Sequence, residues 1–584
     1  MPTSLIDADS LLAIDVGSVL TRALLFDVVE GRYRFLASGS APTTAASPYH
    51  DVGEGIRRAI DQLQEISGRM LVDSAEHLIL PTAPNGSGVD SCVAIMSTGA
   101  PLRIAVVGLL DEVSIESAVR LAATTYSQVV ERVTLTDRRK SASRLDAIIR
   151  SRPDVIIMAG GTEGGASQSV LSLLEAVGLA CYLIPKERRP VVLYTGNSRL
   201  AKEVETSVSS LARLFVAPNI RPALEAEQLG PAQVQLAKIY RSVRSSRVPG
   251  VQELDSWTGG RLLPTASAFG RVICFLSKVY DPTKGVLGVD IGASATVLAA
   301  AFGGDLKLGV YPDLGLGTHV TGFLQYGSLE DIARWLPVEM DEADLRNYIY
   351  NKAISPGSLP DSPEALAIEQ ALARRAMQIG LRKLASSFPR KAGAPAGTYI
   401  PSFEPVVAAG SVFAKAPNYS QSLMMLLDGL QPHGVTTLVL DQNNLASCLG
   451  VAAEINTVLP VQLLESTTFI TLGTVISPTG NAAPGTPILR LKVAYEAGTE
   501  SSFEIKFGAL EVIPLPAGQM ARIRIQPLNR FDVGMGGPGR GGELKVMGGL
   551  YGVIIDARGR PVRLPVDAAR RRELLKKWLW TFGG

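Results

Sequence analysis

Residues Leu11–Val28 read LLAIDVGSVLTRALLFDV. Two apolar runs flank a short polar turn, and the first run ends at Asp15, two residues before Gly17. Apolar runs of this length bounded by turn residues read as strands, so the stretch is a strand–turn–strand unit. A carboxylate at the end of a buried strand is costly unless a cation or hydrogen-bond donors meet it. Gly17 lets backbone approach a ligand closely, turn amides cradle phosphate, and Ser18, Thr21 and Arg22 add hydroxyl and guanidinium donors. Asp15 would then hold a hydrated Mg2+. The alternative for this motif alone is a tight turn in which Asp15 accepts bonds from local amides. It is not a dinucleotide fingerprint, because no G-x-G-x-x-G follows the strand.

The theme returns half a chain later. Residues 285–300 read GVLGVDIGASATVLAA: an apolar run, Asp290, Gly292, a small polar turn, then Thr296 and a second apolar run. A duplicated α/β domain is the simplest cause of such a repeat. Two such loops facing each other across a cleft would grip a phosphate chain from both sides.

The rest of the chain fits an α/β protein with a different ending. YRFLASG after ALLFDVV completes a meander, and residues 55–71 follow as a helix with Ile56, Ile60, Leu63 and Ile66 on one face. RIAVVGL, QVVERVTL, DVIIMAG and VVLYTG are continuous apolar runs of the kind that parallel sheets bury, with helical segments between them. The first of these helices, SIESAVRLAATTYSQ, is expected to use Ser114 as its N-cap. Residues 217–284 read as irregular connection. Residues 362–388 form one long helix, and TTLVLD is a strand before a short helix over LASCLGVAAEI. Near residue 466 the pattern turns to β, with LYGVIIDARGRPVRLP read as a hairpin-like pair tipped by Ala-Arg-Gly. The basic tail DAARRRELLKKWLWTFGG reads as a helix docking its tryptophans on a core. The expected domains are 10–245, 246–465 and 466–584.

Composition narrows the function. Of 584 residues 46% are hydrophobic and 19% charged, which is globular, and a formal charge of +2 predicts no nucleic-acid partner. Cys92, Cys181, Cys274 and Cys448 are widely spaced and read as buried thiols; with four scattered histidines, they argue against disulfides and a structural metal site. The start MPTSLIDADSLLAID lacks a basic n-region, and no apolar run approaches the roughly 20 residues of a membrane span. A soluble cytoplasmic protein with no membrane span is the expectation.

IDVGSVLTRALLFDV and VDIGASATVLAA resemble the two phosphate loops of the actin, Hsp70 and sugar-kinase superfamily, whose domains are ribonuclease H-like. VVAAGSVFAKAP resembles its adenosine loop, with Ala409, Gly410 and Ser411 at the small positions. RPDVIIMAGGTEGG, VVLYTGN, LLDGLQPHGVTTLVLD and GMGGPGRGG with IIDARGRP are similar to the MutL or glutamate mutase L family, which is unrelated to the mismatch-repair protein of that name. The resemblance implies two actin-like domains around a nucleotide cleft and a β-rich C-terminal domain. It implies ATP or ADP with Mg2+, held by Gly17, Ser18, Thr21, Arg22, Gly292, Thr296, Ala409, Gly410 and Ser411, with Asp15 and Asp290 toward the metal. It also implies an accessory or reactivating role beside an adenosylcobalamin-dependent mutase; no D-x-H-x-x-G cobalamin signature is present in this chain.

The departures from that pattern bear on turnover. The second loop usually reads like DIGGATTD and here reads DIGASATV, so Val297 replaces the acid that would help position Mg2+ or the attacking water. Arg22 stands where lysine is usual, and Ala409 where the adenosine loop has a glycine. The expectation is nucleotide binding with slow or absent ATP hydrolysis, and a rate restored by Val297→Asp if the loop geometry survives. The alternatives are a small-molecule kinase of the same fold and a scaffold that keeps the fold without the ligand. AGGTEGG, Asn197, and the YPDLGLGTH loop with Asp313 and His319 are read first as structural, the last as a lining of the cleft.

Overall fold

Alternating burial sets the first sheet. In the computed structural model, which describes residues 10–389 and 400–583, β1 (Leu11–Val16), β2 (Leu20–Val29) and β3 (Arg32–Pro42) form the expected antiparallel meander. The helix Val52–Ser67 packs its Ile56, Ile60 and Leu63 face on one side of it; Ile66 lies off that face, 59% exposed. β4 (Ser91–Met96) then lies parallel to β1.

The chain next leaves this sheet. β5 (Leu102–Gly108), β6 (Ser127–Thr134), β7 (Val155–Met158), β8 (Val191–Tyr194) and β9 (Leu214–Val216) form a separate, wholly parallel sheet in the order β6-β5-β7-β8-β9. Ser114 does not cap the helix there: it sits in a π-turn, and its Oγ accepts from the Leu109 and Leu110 amides at 2.9 and 3.0 Å. Three helices, Gly230–Arg247, Val251–Trp257 and Thr265–Val279, then occupy the region expected to be irregular. Between the last two, β10 (Leu262–Pro264) returns parallel to β4 and closes the first sheet as β10-β4-β1-β2-β3.

The second copy follows the same path. β11 (Gly285–Ile291), β12 (Thr296–Phe302) and β13 (Asp305–Tyr311) are an antiparallel meander, and β14 (Phe403–Ala409) and β15 (Gly434–Asp441) add in parallel beyond β11. The order β13-β12-β11-β14-β15 repeats that of the first sheet, as duplication requires. The sheet continues through β16 (Phe469–Ser477), which lies beyond the composition shift near residue 466. β17 (Pro487–Tyr495), β18 (Glu500–Lys506), β20 (Met520–Pro527) and β21 (Gly542–Met547) form a separate antiparallel sheet, the β-rich C-terminal region. β19 (Leu510–Ile513) and β22 (Val553–Asp556) instead complete the second sheet beside β16.

The expected hairpin tipped by Ala-Arg-Gly is not formed. β22 ends at Asp556, and Arg558 is buried rather than at a tip. Its guanidinium donates to Asp556 at 2.8 and 2.9 Å and to Asp428 at 2.8 Å, and Arg374 and Arg560 reach the same two carboxylates at 2.9 Å. Ion pairing holds the segment inside. The C-terminal helix Ala568–Trp580 docks Trp578 over Arg558, ring centroid 4.4 Å away, and leaves Trp580 exposed. Among the described residues no helix is long and apolar enough to cross a membrane.

One core joins the two copies. Leu11, Ala13, Val93 and Ile95 of the first sheet and Val286, Val297 and Ala299 of the second share it. The helices Thr265–Val279 and Ala446–Ala452 are among those packed into it.

Candidate functional site

The two hairpins match residue for residue. Asp15 pairs with Arg22 across β1 and β2, and Asp290 pairs with Val297 across β11 and β12. Each turn closes with the glycine amide donating across it at 3.0 Å, Gly17 to the Leu20 carbonyl and Gly292 to the Ala295 carbonyl. Side chains two apart on a strand share a face. Asp15 therefore points with Leu11 and Ala13, and Asp290 with Val286 and Gly288, into the layer between the sheets. The amides of Ser18, Val19, Ala293 and Ser294 find no partner among the described residues, which leaves two small cradles of N–H donors at the turns.

Arg22 spans the two halves. Its Nη2 and Nε donate to Asp15 Oδ2 at 2.5 and 3.1 Å, while Nη1 donates to the Asn443 carbonyl at 2.8 Å and Nη2 to the Asn444 carbonyl at 2.9 Å. Burial works against the charge on Arg22, but Asp15, together with Cys448 and Asp441, holds the guanidinium above its ordinary pKa. Thr21 and Thr296 are fully buried. Thr21 Oγ1 shares a 2.8 Å bond with Thr43 Oγ1, and Thr296 Oγ1 donates to the Leu314 carbonyl at 2.7 Å, so both hydroxyls brace their hairpins.

The adenosine-like segment meets the second hairpin from the side. Ala409 ends β14 opposite Asp290 in register, and Ser411 is exposed at the start of a short helix. Gly410 has φ +104°, and a Cβ there would lie 2.3 Å from the Ile291 carbonyl oxygen, so only glycine fits this approach. Its amide donates to Asn444 Oδ1 at 2.7 Å. Asp15, Gly17, Ser18 and Arg22 lie at the hairpin of the first sheet, and Asp290, Gly292, Ala409, Gly410 and Ser411 at neighbouring strand ends of the second, the two joined through Arg22.

A third carboxylate completes the cluster. Asp441, at the end of β15, is fully buried and accepts from the Leu445 and Ala446 amides at 2.9 and 2.7 Å. It repeats the opening signal, an apolar strand closing on aspartate (LVLD), and that third instance would have found it. Burial, then the charges of Asp15 and Asp441, push Asp290 up to about 7 despite Arg22. Burial pushes Asp441 up to about 6 against the pull of its amide donors and Arg22. Burial also raises the Cys448 thiol well above its ordinary range.

Asp15 bonds Arg22 directly, while Asp290 and Asp441 feel its charge. Among the described residues no three His, Cys, Asp or Glu side chains are grouped to hold a metal by themselves. The raised carboxylates also fix a pH response. A carboxyl group whose folded pKa lies above its unfolded value of 3.8 is bound more tightly to its proton in the folded state. Stability is then greatest while the group is protonated and falls as pH rises through the folded value. The melting temperature of the ligand-free protein is expected to drop between about pH 4 and about pH 7, and Asp290→Asn to flatten that drop. A melting temperature that rises steadily across the window would contradict the cluster's electrostatics.

The loops read as structural carry hydrogen bonds within the fold. Glu163 of AGGTEGG accepts from Asn219 Nδ2 at 2.9 Å and from the Ser198 amide at 3.2 Å, and buried Asn197 Nδ2 donates to the Gly165 carbonyl at 3.2 Å. In YPDLGLGTH, the Leu316 and Gly317 amides donate to the Gly292 and Ala293 carbonyls at 3.0 Å, so its backbone braces the second hairpin. Asp313, bonded to Lys383 Nζ at 3.3 Å, and His319 border a cavity of about 970 Å3 between β13 and residues 116–129.

Comparison with known proteins gives this geometry a context. "Protein MutL" of Clostridium tetanomorphum is 25% identical over 309 residues, 52% of this chain; the chain covers 60% of that relative's length. The structure titled ATP-dependent caprolactamase from Pseudomonas jessenii aligns over 85% of this chain and 81% of its own, at 13% identity and a TM-score of 0.31. The nucleotide-free diol dehydratase-reactivating factor aligns over 77% of this chain and all (100%) of its own, at 12% identity and a TM-score of 0.29. The sequence profile described as MutL protein matches residues 11–468, a span that takes in both hairpins, the segment at Gly410 and Asp441. The chain belongs to the MutL protein family.

Proposed function

We propose that this protein binds ATP or ADP with Mg2+ between its two hairpins and serves as an accessory, reactivating partner of an adenosylcobalamin-dependent mutase. The observation that carries the binding is the matched pair of Asp-x-Gly hairpins, with free turn amides on both and the Gly410 segment alongside. Gly17, Ser18, Gly292 and the turn amides would hold the phosphates. Asp15 and Asp290 would face the metal through water, and Ala409–Ser411 would lie against the nucleoside. The partner rests on membership of the MutL family and is tested by whether purified mutase is pulled down with the protein, with and without ATP. Calorimetry with ATP and ADP, with and without Mg2+, tests the binding; micromolar affinity that needs Mg2+ is expected, and no heat under any condition overturns it.

One observation favours a scaffold that has lost the ligand. Arg22 is already spent on Asp15 and on two carbonyls of the other half, where a phosphate donor would have to be free. The same calorimetry separates the readings.

Hydrolysis needs a group that orients the attacking water as well as charge stabilisation around the phosphoryl group. Val297, 6% exposed in the shared core opposite Asp290, supplies none. Phosphate release by the purified protein is expected well below about one per second, the low end of ordinary turnover. The structure also changes the expectation for Val297→Asp. That carboxylate would be buried beside Asp290, so the variant should lose about 3 kcal/mol of stability rather than gain turnover. Faster phosphate release by this variant at unchanged melting temperature would show the reasoning wrong.

A further inference from the structure

We infer that Arg22 and the Asn443–Asn444 turn form a relay between the first phosphate hairpin and the Gly410 segment, with Asn444 as the positioning residue for that segment. The inference rests on the nucleotide-binding reading above and extends it to how the two ends of the site communicate.

The relay is a continuous run of hydrogen bonds. Asp15 Oδ2 accepts from Arg22 Nη2 and Nε; the same guanidinium donates to the carbonyls of Asn443 and Asn444. Asn444 adopts φ +51°, a left-handed conformation that asparagine tolerates better than most residues. In that conformation its carbonyl accepts from Arg22 while its Oδ1 accepts from the Gly410 amide. Gly410 in turn lies on the backbone of Ile291, one residue beyond Asp290. One side chain of the first half therefore fixes a turn of the second half, and that turn fixes the segment beside the second hairpin.

The direction of the coupling follows from charge. Asp15 is the strongest partner Arg22 has. Whatever draws Asp15 toward a bound cation competes with the guanidinium for Oδ2 and loosens its hold on the turn. The Gly410 amide then loses the fixed acceptor that aims the segment. Engagement at the phosphate end thus alters the grip on the nucleoside at the other end, without a contact between the two.

Two variants isolate the relay without breaking the fold. Arg22→Lys keeps the charge but replaces three nitrogens in a rigid planar fork with one, which cannot reproduce the simultaneous reach of Nε, Nη1 and Nη2 to Asp15, Asn443 and Asn444. Asn444→Gly keeps the left-handed backbone and removes the side chain that carries Oδ1. The first measurement needs no nucleotide: hydrogen exchange at the Gly410 amide. It should speed up about tenfold or more in Arg22→Lys, although Arg22 does not touch Gly410. Unchanged exchange overturns the relay whether or not nucleotide binds. The second is a double-mutant cycle on MgADP affinity measured by calorimetry. Each single variant should weaken binding about tenfold, and the double variant little more than either. Losses that multiply to about a hundredfold would show two independent contacts and overturn the relay. A wild-type protein that binds no MgADP would instead overturn the nucleotide-binding reading, leaving the exchange measurement to judge the relay.

Discussion

Asp556→Ala is expected to destabilise the second half by about 3–5 kcal/mol, more than removal of any one of the arginines around it. The reason lies in the charge count of the buried network. Arg374, Arg558 and Arg560 meet Asp428 and Asp556, all within 10% exposure. Removing Arg558 leaves Asp428 with Arg374 and Asp556 with Arg560, two intact pairs. Removing Asp556 leaves three guanidinium groups and one carboxylate, and two of the three lose bonds of 2.8 to 2.9 Å. Burial alone would raise the Asp556 pKa, but Arg558 and Arg560 outweigh it and hold it far below the usual carboxylate range. This group's stabilisation is therefore present at neutral pH and is lost only in acid, below its unfolded value of 3.8. Denaturant unfolding followed by tryptophan fluorescence reads the effect directly, since Arg558 lies over the Trp578 ring. A loss under about 1 kcal/mol for Asp556→Ala, or a larger loss for Arg558→Ala, would mean that water relieves the cluster.

What the sequence disclosed and what it hid follow one rule: local patterns were legible, long-range partners were not. Asp15 and Asp290 stood out because each ends an apolar run before a glycine, and the fold places them on matching strands with the same register. Arg22 was recognisable as a donor, but its destination was not, because Asn443 and Asn444 lie more than four hundred positions away. The five parallel strands from Leu102 to Val216 were readable one by one. That they form a sheet of their own could not be read, because the return to the first sheet is only the three residues of β10. Ala-Arg-Gly after an apolar strand has the local chemistry of a turn tip. Its arginine is buried because Asp428, far upstream on the helix Tyr419–Leu430, joins the nearby Asp556 in pairing with it. Ser114 was misjudged for the same reason at short range: its hydroxyl is taken by the Leu109 and Leu110 amides just beyond β5.

Gly450→Ala is expected to weaken MgATP binding about tenfold or more and to cost at least about 2 kcal/mol of stability. Taken alone, alanine in the helix Ala446–Ala452 should be better than glycine by about 1 kcal/mol. The packing reverses that preference. A Cβ at Gly450 would lie 1.9 Å from the Ala268 carbonyl oxygen and 2.7 Å from its carbonyl carbon. Both are backbone atoms of the helix Thr265–Val279, so no side chain can swing aside, and the two helices must separate. They cannot separate freely, because the shared core holds them between the first and second sheets. The Ala446–Ala452 helix begins just beyond Asn444, and Asp441 binds its first amides. A shift of this helix therefore moves the turn that Arg22 grips and changes the spacing between the hairpins. Gly178→Ala is the matched control. It lies in the helix Ser167–Leu183, and a Cβ there would meet only Leu211 Cδ1 at 3.6 Å, an ordinary contact. That variant should be neutral or slightly stabilising and should bind nucleotide like the wild type. Equal affinity and melting temperature for the two variants would show that the crossing of these helices neither sets the cleft nor limits stability.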